Sequence, residues 1–517
     1  INGTQYRCAD PIARHLGCTP LNMFGPNSIT AAAADYIRQN EKNTYGTTYH
    51  GYAFNISNIP VYELPGGDVL IALGMEMTDL AGYETVDGLT EAGGSSGNPR
   101  LSTEGSYDSR DIYGEISIPL VSGIQGIEEF TVDYAYRNTS YNKFDSSSVE
   151  RTAVKYKPTA DITFRFTDST SYKAPTISDL YFGGGGGFPT YTDPCEARFQ
   201  STYSAAQQAT ATAQCAAEGI DTSTFATENA QILQLQVGNP DLSPEEGENT
   251  TYGVVWIPTN IAALADIDFR VAVDKFEMEI ANSVVTSGVA ATLNGCYLSG
   301  NAAQCALVNR AFGGDVNSVS TRNLNSASLD VFKGVDYSVN MTFDDIPMIG
   351  GSIEVDVIGT HFDENVTVDA TGISDDIVGN CYDFGESCFN RDRTNVSIRW
   401  SNETWNVGLT TRFLSEIPVQ PGVVDYFADD PYGTLSQEVL DEIYDIYSID
   451  KYNISYLNIG YRASDSIQVT LAVSNLFDKE PPYYKDFFGF ADPQISTPQN
   501  SYDIIGRYFQ LGFKLSL

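Results

Sequence analysis

Gly506–Leu517 reads GRYFQLGFKLSL and alternates without interruption. Phe509, Leu511, Phe513, Leu515 and Leu517 fall on one side of an extended chain, and Tyr508, Gln510, Gly512, Lys514 and Ser516 on the other. Such a strand has one oily and one wet face, so it needs two different solvents. SIQVTLAV (Ser466–Val473) divides the same way, with Ile467, Val469, Leu471 and Val473 opposing Gln468, Thr470 and Ala472. In DIDFRVAV (Asp266–Val273), Ile267, Phe269, Val271 and Val273 oppose Asp268 and Arg270. The alternation predicts an oily face toward lipid and a wet face toward an enclosed lumen.

Extending this reading outward predicts about fifteen strands: 46–60, 67–86, 108–120, 128–142, 147–156, 160–174, 249–257, 266–285, 322–343, 351–368, 391–400, 404–415, 447–462, 466–476 and 506–517. Helical periodicity is confined to Ile29–Gln39, Ala205–Glu218 and Leu435–Ile446. The connections alternate in length. Short turns at Leu64–Gly67, Ser122–Ile127, Lys157–Ala160, Thr259–Ala265, Asp344–Gly350, Ser401–Glu403 and Ser464–Asp465 fall between long loops, broken only by the short loop near Phe144–Ser148. In an up-and-down sheet, all short turns then lie at one end and the long loops at the other. This is the signature of an antiparallel transmembrane β-barrel. Most of these strands exceed the roughly five or six residues of a sandwich strand. Trp400 and Trp405 flank the turn SNET, where a membrane boundary favours amphipathic rings.

The totals agree. The 517 residues include 32 Tyr, 26 Phe and 45 Gly, only 19% are charged, and the net charge is −38. That balance repels nucleic acid, whose binders need clustered Lys and Arg. No run approaches the roughly 18 apolar residues of a membrane-spanning helix. The eight cysteines form local couples: Cys8 with Cys18, Cys195 with Cys215, Cys296 with Cys305, and Cys381 with Cys388. With three His in the chain and no CxxC spacing, zinc is a poor fit. Disulfides in an oxidising compartment are expected. Every couple falls in the long loops, if residues 1–45 are counted as one of them.

Four motifs go beyond architecture: SYKAPTISDLY (Ser171–Tyr181), GNPDLSPEEGENTTYGV (Gly238–Val254), VSNLFDKEPPYY (Val473–Tyr484) and YDIIGRYFQLGFKLSL (Tyr502–Leu517). In this order they resemble the barrel of TonB-dependent outer-membrane receptors, the energised transporters of Gram-negative bacteria. CTPLNMFGPNSIT (Cys18–Thr30) is similar to a loop motif of one branch of that family. The resemblance is carried by Lys173, Ala174 and Pro175; by Asn239, Pro240, Leu242, Pro244 and Glu245; by Asn475, Leu476, Phe477 and Asp478; and by Gly506 and Arg507. Lys173 stands where the family usually has Arg, and Leu517 where it usually has an aromatic residue. The resemblance implies a 22-stranded barrel, of which residues 1–517 supply strands 8 to 22. An N-terminal plug, its TonB-contacting segment and about seven strands are then expected outside the sequence. It also implies outer-membrane lipid and the TonB complex as partners, extracellular long loops, and TonB-coupled import of a scarce nutrient, an oligosaccharide or an iron chelate (siderophore). A passive porin-like channel or an adhesion barrel is the alternative.

No nucleophile–base or zinc-protease motif is present, and neither enzymatic activity nor a cofactor is expected. FGGGGGFP (Phe182–Pro189) lacks the Lys-Ser/Thr of a phosphate loop and reads as a flexible extracellular loop. Around it, Tyr181, Phe182, Phe188 and Tyr191 are candidates to stack on a sugar ring or flat chelate. Acidic sets at Asp363, Glu364, Asp369, Asp375 and Asp376, and at Asp425, Asp429 and Asp430, offer hard oxygens, although none has EF-hand spacing. Solvated acidic loops are the default reading, with calcium the alternative at the second set. The acidity favours neutral, cationic or calcium-bridged ligands over strongly anionic ones.

Overall fold

The computed structural model describes residues 7–228, 231–259, 261, 267–326, 328–368, 374–382, 387–418, 436–484, 497–498 and 500–516. Its frame is a wall of fifteen strands: β1 (Thr44–Leu64), β2 (Gly67–Thr85), β3 (Thr103–Ile124), β4 (Ile127–Tyr141), β5 (Ser147–Thr159), β6 (Ile162–Lys173), β7 (Glu245–Trp256), β8 (Ile267–Ala281), β9 (Asp330–Phe343), β10 (Ser352–Val368), β11 (Asp392–Ser401), β12 (Trp405–Leu414), β13 (Tyr452–Ser464), β14 (Ile467–Ser474) and β15 (Tyr508–Leu515). Each pairs antiparallel with the next in chain order. Among the described residues, the outer edges of β1 and β15 pair with no strand. All four expected disulfides are formed, each in the long-loop segments.

The register decides the faces. Across β12 to β15, Leu409 pairs with Leu457, Ile459 with Leu471, and Val469 with Phe513, so one face is apolar throughout. That face is not buried: Leu73, Met75, Ile112, Ile398 and Phe413 are 42–61% exposed. A soluble sandwich would have covered them. At the short-turn end of this face, Trp405 packs on Tyr461 at 4.5 Å between ring centroids. Nearby, Trp400 Nε1 donates to the Gly350 carbonyl at 2.9 Å.

Three expectations change. The stretch 322–343 is not one strand: Val316–Asn325 leaves the wall, and β9 begins at Asp330. Continuous alternation across 322–343 hid the switch of partner. The stretch 447–451 lies before β13 rather than inside it. The glycine run is no unstructured loop. Gly185–Gly187 is a strand paired with Leu233–Val237, and Gly185 also bridges Arg100 from the β2–β3 loop. A Cβ on Gly183 would sit 1.9 Å from the Ser102 carbonyl oxygen, and one on Gly186 would sit 2.8 Å from Pro99. The run is glycine because another backbone passes against it.

The two longest described loops, β6–β7 and β8–β9, fold as one cap. Val316–Asn325 pairs in parallel with Leu233–Val237 and antiparallel with Val284–Thr286 and Val308–Arg310. The helices Ala205–Ala217 and Val289–Tyr297 pack behind this sheet around Leu293, Tyr297, Val316, Val319 and the disulfide Cys195–Cys215, all essentially unexposed.

Candidate functional site

The motif residues meet at the joint between wall and cap. Thr176 caps the helix Ile177–Tyr181, with Asp179 closing a capping box. Asp179 then reaches outward: its carbonyl accepts the Asn239 N–H at 2.7 Å, and its carboxylate accepts Asn323 Nδ2 at 3.0 Å. Asn239 Nδ2 in turn donates to the Asn323 carbonyl at 2.8 Å. Lys173 and Glu245 are register partners at the ends of β6 and β7, joined by a 3.0 Å ion pair. Leu242, between Asn239 and Glu245 in the chain, is buried. The second motif pair is also a joint. Asp478 Oδ1 accepts the Arg507 N–H at 2.8 Å, and the buried Asn475 amide makes two bonds to the Lys479 backbone. Gly506 lies so close to Asp478 that a Cβ would sit 3.1 Å from its oxygen. Leu476 is tied by its N–H to the Ser455 carbonyl, and Phe477 is exposed. In this geometry the motif residues hold loops to strands.

The four candidate aromatics do not converge. Tyr181 lies over Gly105 of β3, where even a Cβ would meet its ring at 2.1 Å. Phe182 lies against Gly185. Tyr191 packs on the cap core with its hydroxyl 2.9 Å from Thr227 Oγ1. Burial raises the Tyr191 hydroxyl above its ordinary pKa. Phe188 is about half exposed and is free to meet a ligand.

The cap centre is electrostatic. Arg310, from the β8–β9 loop, forms a two-pronged pair with Asp193 of the β6–β7 loop at 2.7 Å per bond, and neither side chain exceeds 2% exposure. Burial alone would pull the Arg310 pKa down; the hydrogen bonds and charge of Asp193 outweigh it and hold it above the usual value. Tyr297 accepts from Arg310 Nε and donates to Glu218, and its hydroxyl is pushed up chiefly by burial.

A second loop cluster sits on the wet face at the long-loop end. The hairpin of Cys381–Cys388 packs with Leu414, Tyr452, Ile454, Tyr484 and Tyr502. Ser501 Oγ accepts the Cys388 N–H and donates to its carbonyl. Phe389 extends a ladder of rings, Phe276–Phe332–Phe362–Phe389, with centroids 4.8–5.4 Å apart. Arg393 lies over Phe389 at 4.1 Å. The loops therefore fold inward over the lumen side of the wall.

Two cavities open on that wet face. The larger, about 1010 Å³, has Phe276, Phe332, Phe362 and Met278 along one part, and Arg151, Lys155, Arg165, Arg270, Asp133, Asp274 and Asp336 along the rest. Arg165 Nε donates to Asp274 Oδ1 at 2.6 Å across β7. The intervening residue is Gly253, where a Cβ would lie 2.0 Å from that same oxygen. The smaller cavity, about 400 Å³ near the short-turn end, is lined by Ser397, Arg399, Asn406, Thr410, Tyr456, Asn458, Arg462, Gln468 and Thr470 and by the turn residues Asn402, Glu403 and Thr404. The loops drew the candidate ligand groups, and of these wall residues the alternation had placed only Arg270, Gln468 and Thr470 on the wet face.

Asp425, Asp429 and Asp430, the calcium candidates, lie outside the described residues, as does Asp369. Asp376 caps its own turn, accepting from Asn365 N and Val378 N. Among the described residues no group of three or more His, Cys, Asp or Glu is arranged to hold a metal.

A family model described as TonB dependent receptor-like, beta-barrel matches residues 16–476. The siderophore receptor PirA from Acinetobacter baumannii superposes with a TM-score of 0.54 at 15% identity, covering 92% of this chain and 55% of that one. An enterobactin-bound variant of the ferric enterobactin receptor PfeA from Pseudomonas aeruginosa gives 0.56 at 13% identity, covering 91% and 54%. At such identity the likeness is one of fold. The chain spans about half the length of these receptors. No curated protein matches the sequence.

Proposed function

The chain belongs to the TonB-dependent receptor β-barrel family, whose members are outer-membrane receptors, and on that premise we propose that it forms the wall and ligand-gathering loops of an active importer. The long loops face the cell exterior and the short turns the periplasm. A scarce nutrient, an oligosaccharide or iron chelate, is gathered at the cap and passes down the wet face. Energy comes from the inner membrane through TonB, by way of a plug domain belonging to the same protein. No catalytic step is part of this reading.

The observation that carries it is that, among the described residues, the loops fold inward at the long-loop end. The Cys381–Cys388 hairpin and the phenylalanine ladder occupy the wet face beneath the long loops, while the short-turn end has a polar, open cavity. This supports a controlled passage over a permanently open pore, the second reading. The discriminating measurement is uptake by cells that carry the full-length gene, with and without functional TonB. Uptake that needs both the gene and TonB is expected; equal uptake without TonB favours the passive channel.

A further inference from the structure

The short turns of the wall are not alike. Asn402, Glu403 and Thr404 in one, and Ser464 and Asp465 in another, are exposed polar residues. The turn between β9 and β10, Asp344–Gly351, reads DDIPMIGG and carries apolar side chains at its tip. Pro347 is exposed, Ile349 is 54% exposed, and Met348 is 103% exposed, as open as in an unfolded chain. Single exposed apolar residues are ordinary on a protein surface, but three in succession at the tip of a turn call for a function.

The tip has a fixed shape. The Gly350 N–H donates to the Ile346 carbonyl at 2.9 Å, and the Ile346 N–H to the Gly351 carbonyl at 3.1 Å. Asp345, Met348, Gly350 and Gly351 all have positive φ, so the segment coils tightly between the strands. At Met348 this is a region that residues other than glycine rarely enter. The direction of the turn follows from Trp400. In register, Phe343 pairs with Ile353, Ile353 with Trp400 and Trp400 with Val407, a row on the apolar face. Trp400 Nε1 donates to the Gly350 carbonyl, so the turn is tied to that face and not to the lumen side. Trp405 against Tyr461 continues the same boundary of amphipathic rings.

We propose that Ile346–Ile349 is a membrane anchor that enters the acyl boundary of the leaflet at the short-turn end, beside Trp400. Its partner is lipid, because an apolar tip continuous with a lipid-facing row is covered by the medium that covers the row. Asp344 and Asp345, exposed at the foot of the turn, stay among the headgroups, and the polar turns on β11–β14 stay in water. β9 and β10 are thereby seated deeper than β11–β14, which sets the tilt of the wall in the bilayer. The anchor rests on the lipid-facing wall alone and is independent of the transport reading.

The test is bimane fluorescence of the full-length receptor carrying M348C or I349C, refolded into phosphatidylcholine vesicles whose acyl chains are plain or brominated near the headgroup. E403C, in the adjacent turn, is the aqueous reference at the same end, and heat-modifiable gel migration establishes that each barrel is folded. At 348 and 349 the emission is expected to be blue-shifted from that at 403, quenched at least twofold more by brominated chains, and quenched less than half as strongly by iodide. Iodide quenching at 348 and 349 equal to that at 403, or no response of either position to brominated chains, overturns the proposal. Shielding from iodide without quenching by bromine also overturns it, and assigns the tip to a protein contact.

Discussion

Lys173 Nζ lies 3.0 Å from Glu245 Oε2, and the other oxygen of Glu245 accepts the Val284 N–H at 2.8 Å. One carboxylate thus joins two wall strands to the start of the β8–β9 loop. The two partners are unequal: Lys173 is 68% exposed and Glu245 14%. Lys173→Met is expected to cost less than about 1 kcal/mol, as exposed ion pairs do. Glu245→Ala is expected to cost about 1–3 kcal/mol, because a part-buried N–H loses its acceptor. Urea unfolding of the refolded protein checks the order; equal costs contradict it.

Arg310 and Asp193 join the two cap loops through a pair withdrawn from water. Arg310→Met leaves Asp193 charged and alone, and is expected to loosen the cap by about 3–5 kcal/mol. Hydrogen exchange over 186–237 and 284–326 is expected to quicken while β11–β15 stay protected. The double change Arg310→Met with Asp193→Leu is expected to recover much of the loss, since no stranded charge remains.

Gly253 gives the Arg165–Asp274 pair its room. Gly253→Ala is expected to destabilise the wall, and the same substitution to cost less when Asp274 is already alanine. A double-mutant cycle on melting temperature measures the difference, and strict additivity excludes this account.

Tyr297 ionises later in the folded cap than in an unfolded chain, chiefly because it is buried. Its contribution is therefore complete below the ordinary tyrosine pKa, about 10, and is lost as pH rises through the higher folded value. Cap protection is expected to be flat through neutral pH and to decline above about pH 10; Tyr297→Phe should remove that part of the decline. Hydrogen exchange of the helix Val289–Tyr297 against pH reads both.

Reduction of the cap disulfides is expected to loosen the cap before the wall. Closing a loop of the Cys195–Cys215 size restricts the unfolded chain by about 3 kcal/mol, whereas β1–β15 contain no cysteine. Limited proteolysis with and without reductant should move the first cuts into the cap, with the wall strands still intact.

The wall was legible because a strand between lipid and water is constrained at every second residue. Phe509, Leu511, Phe513 and Leu515 declare their face without help from any distant residue. The cysteine couples were legible for a similar reason: partners 7–20 residues apart close locally. The cap was not. Leu233–Val237 and Val316–Asn325 pair in parallel across some eighty residues, and nothing in either stretch names the other. The candidate aromatics failed to converge for the same reason. Whether Tyr191 faces a ligand or a core depends on Arg310 and Tyr297, which arrive from another loop. The alternating pattern by itself determined which side of each strand meets lipid, because that choice is local and repeated. Only the tertiary structure decided which loops share a core and which charges share a wall. Those relations depend on the pairing of distant segments, and they set Arg165 beside Asp274 on the wall and Arg310 against Asp193 in the cap.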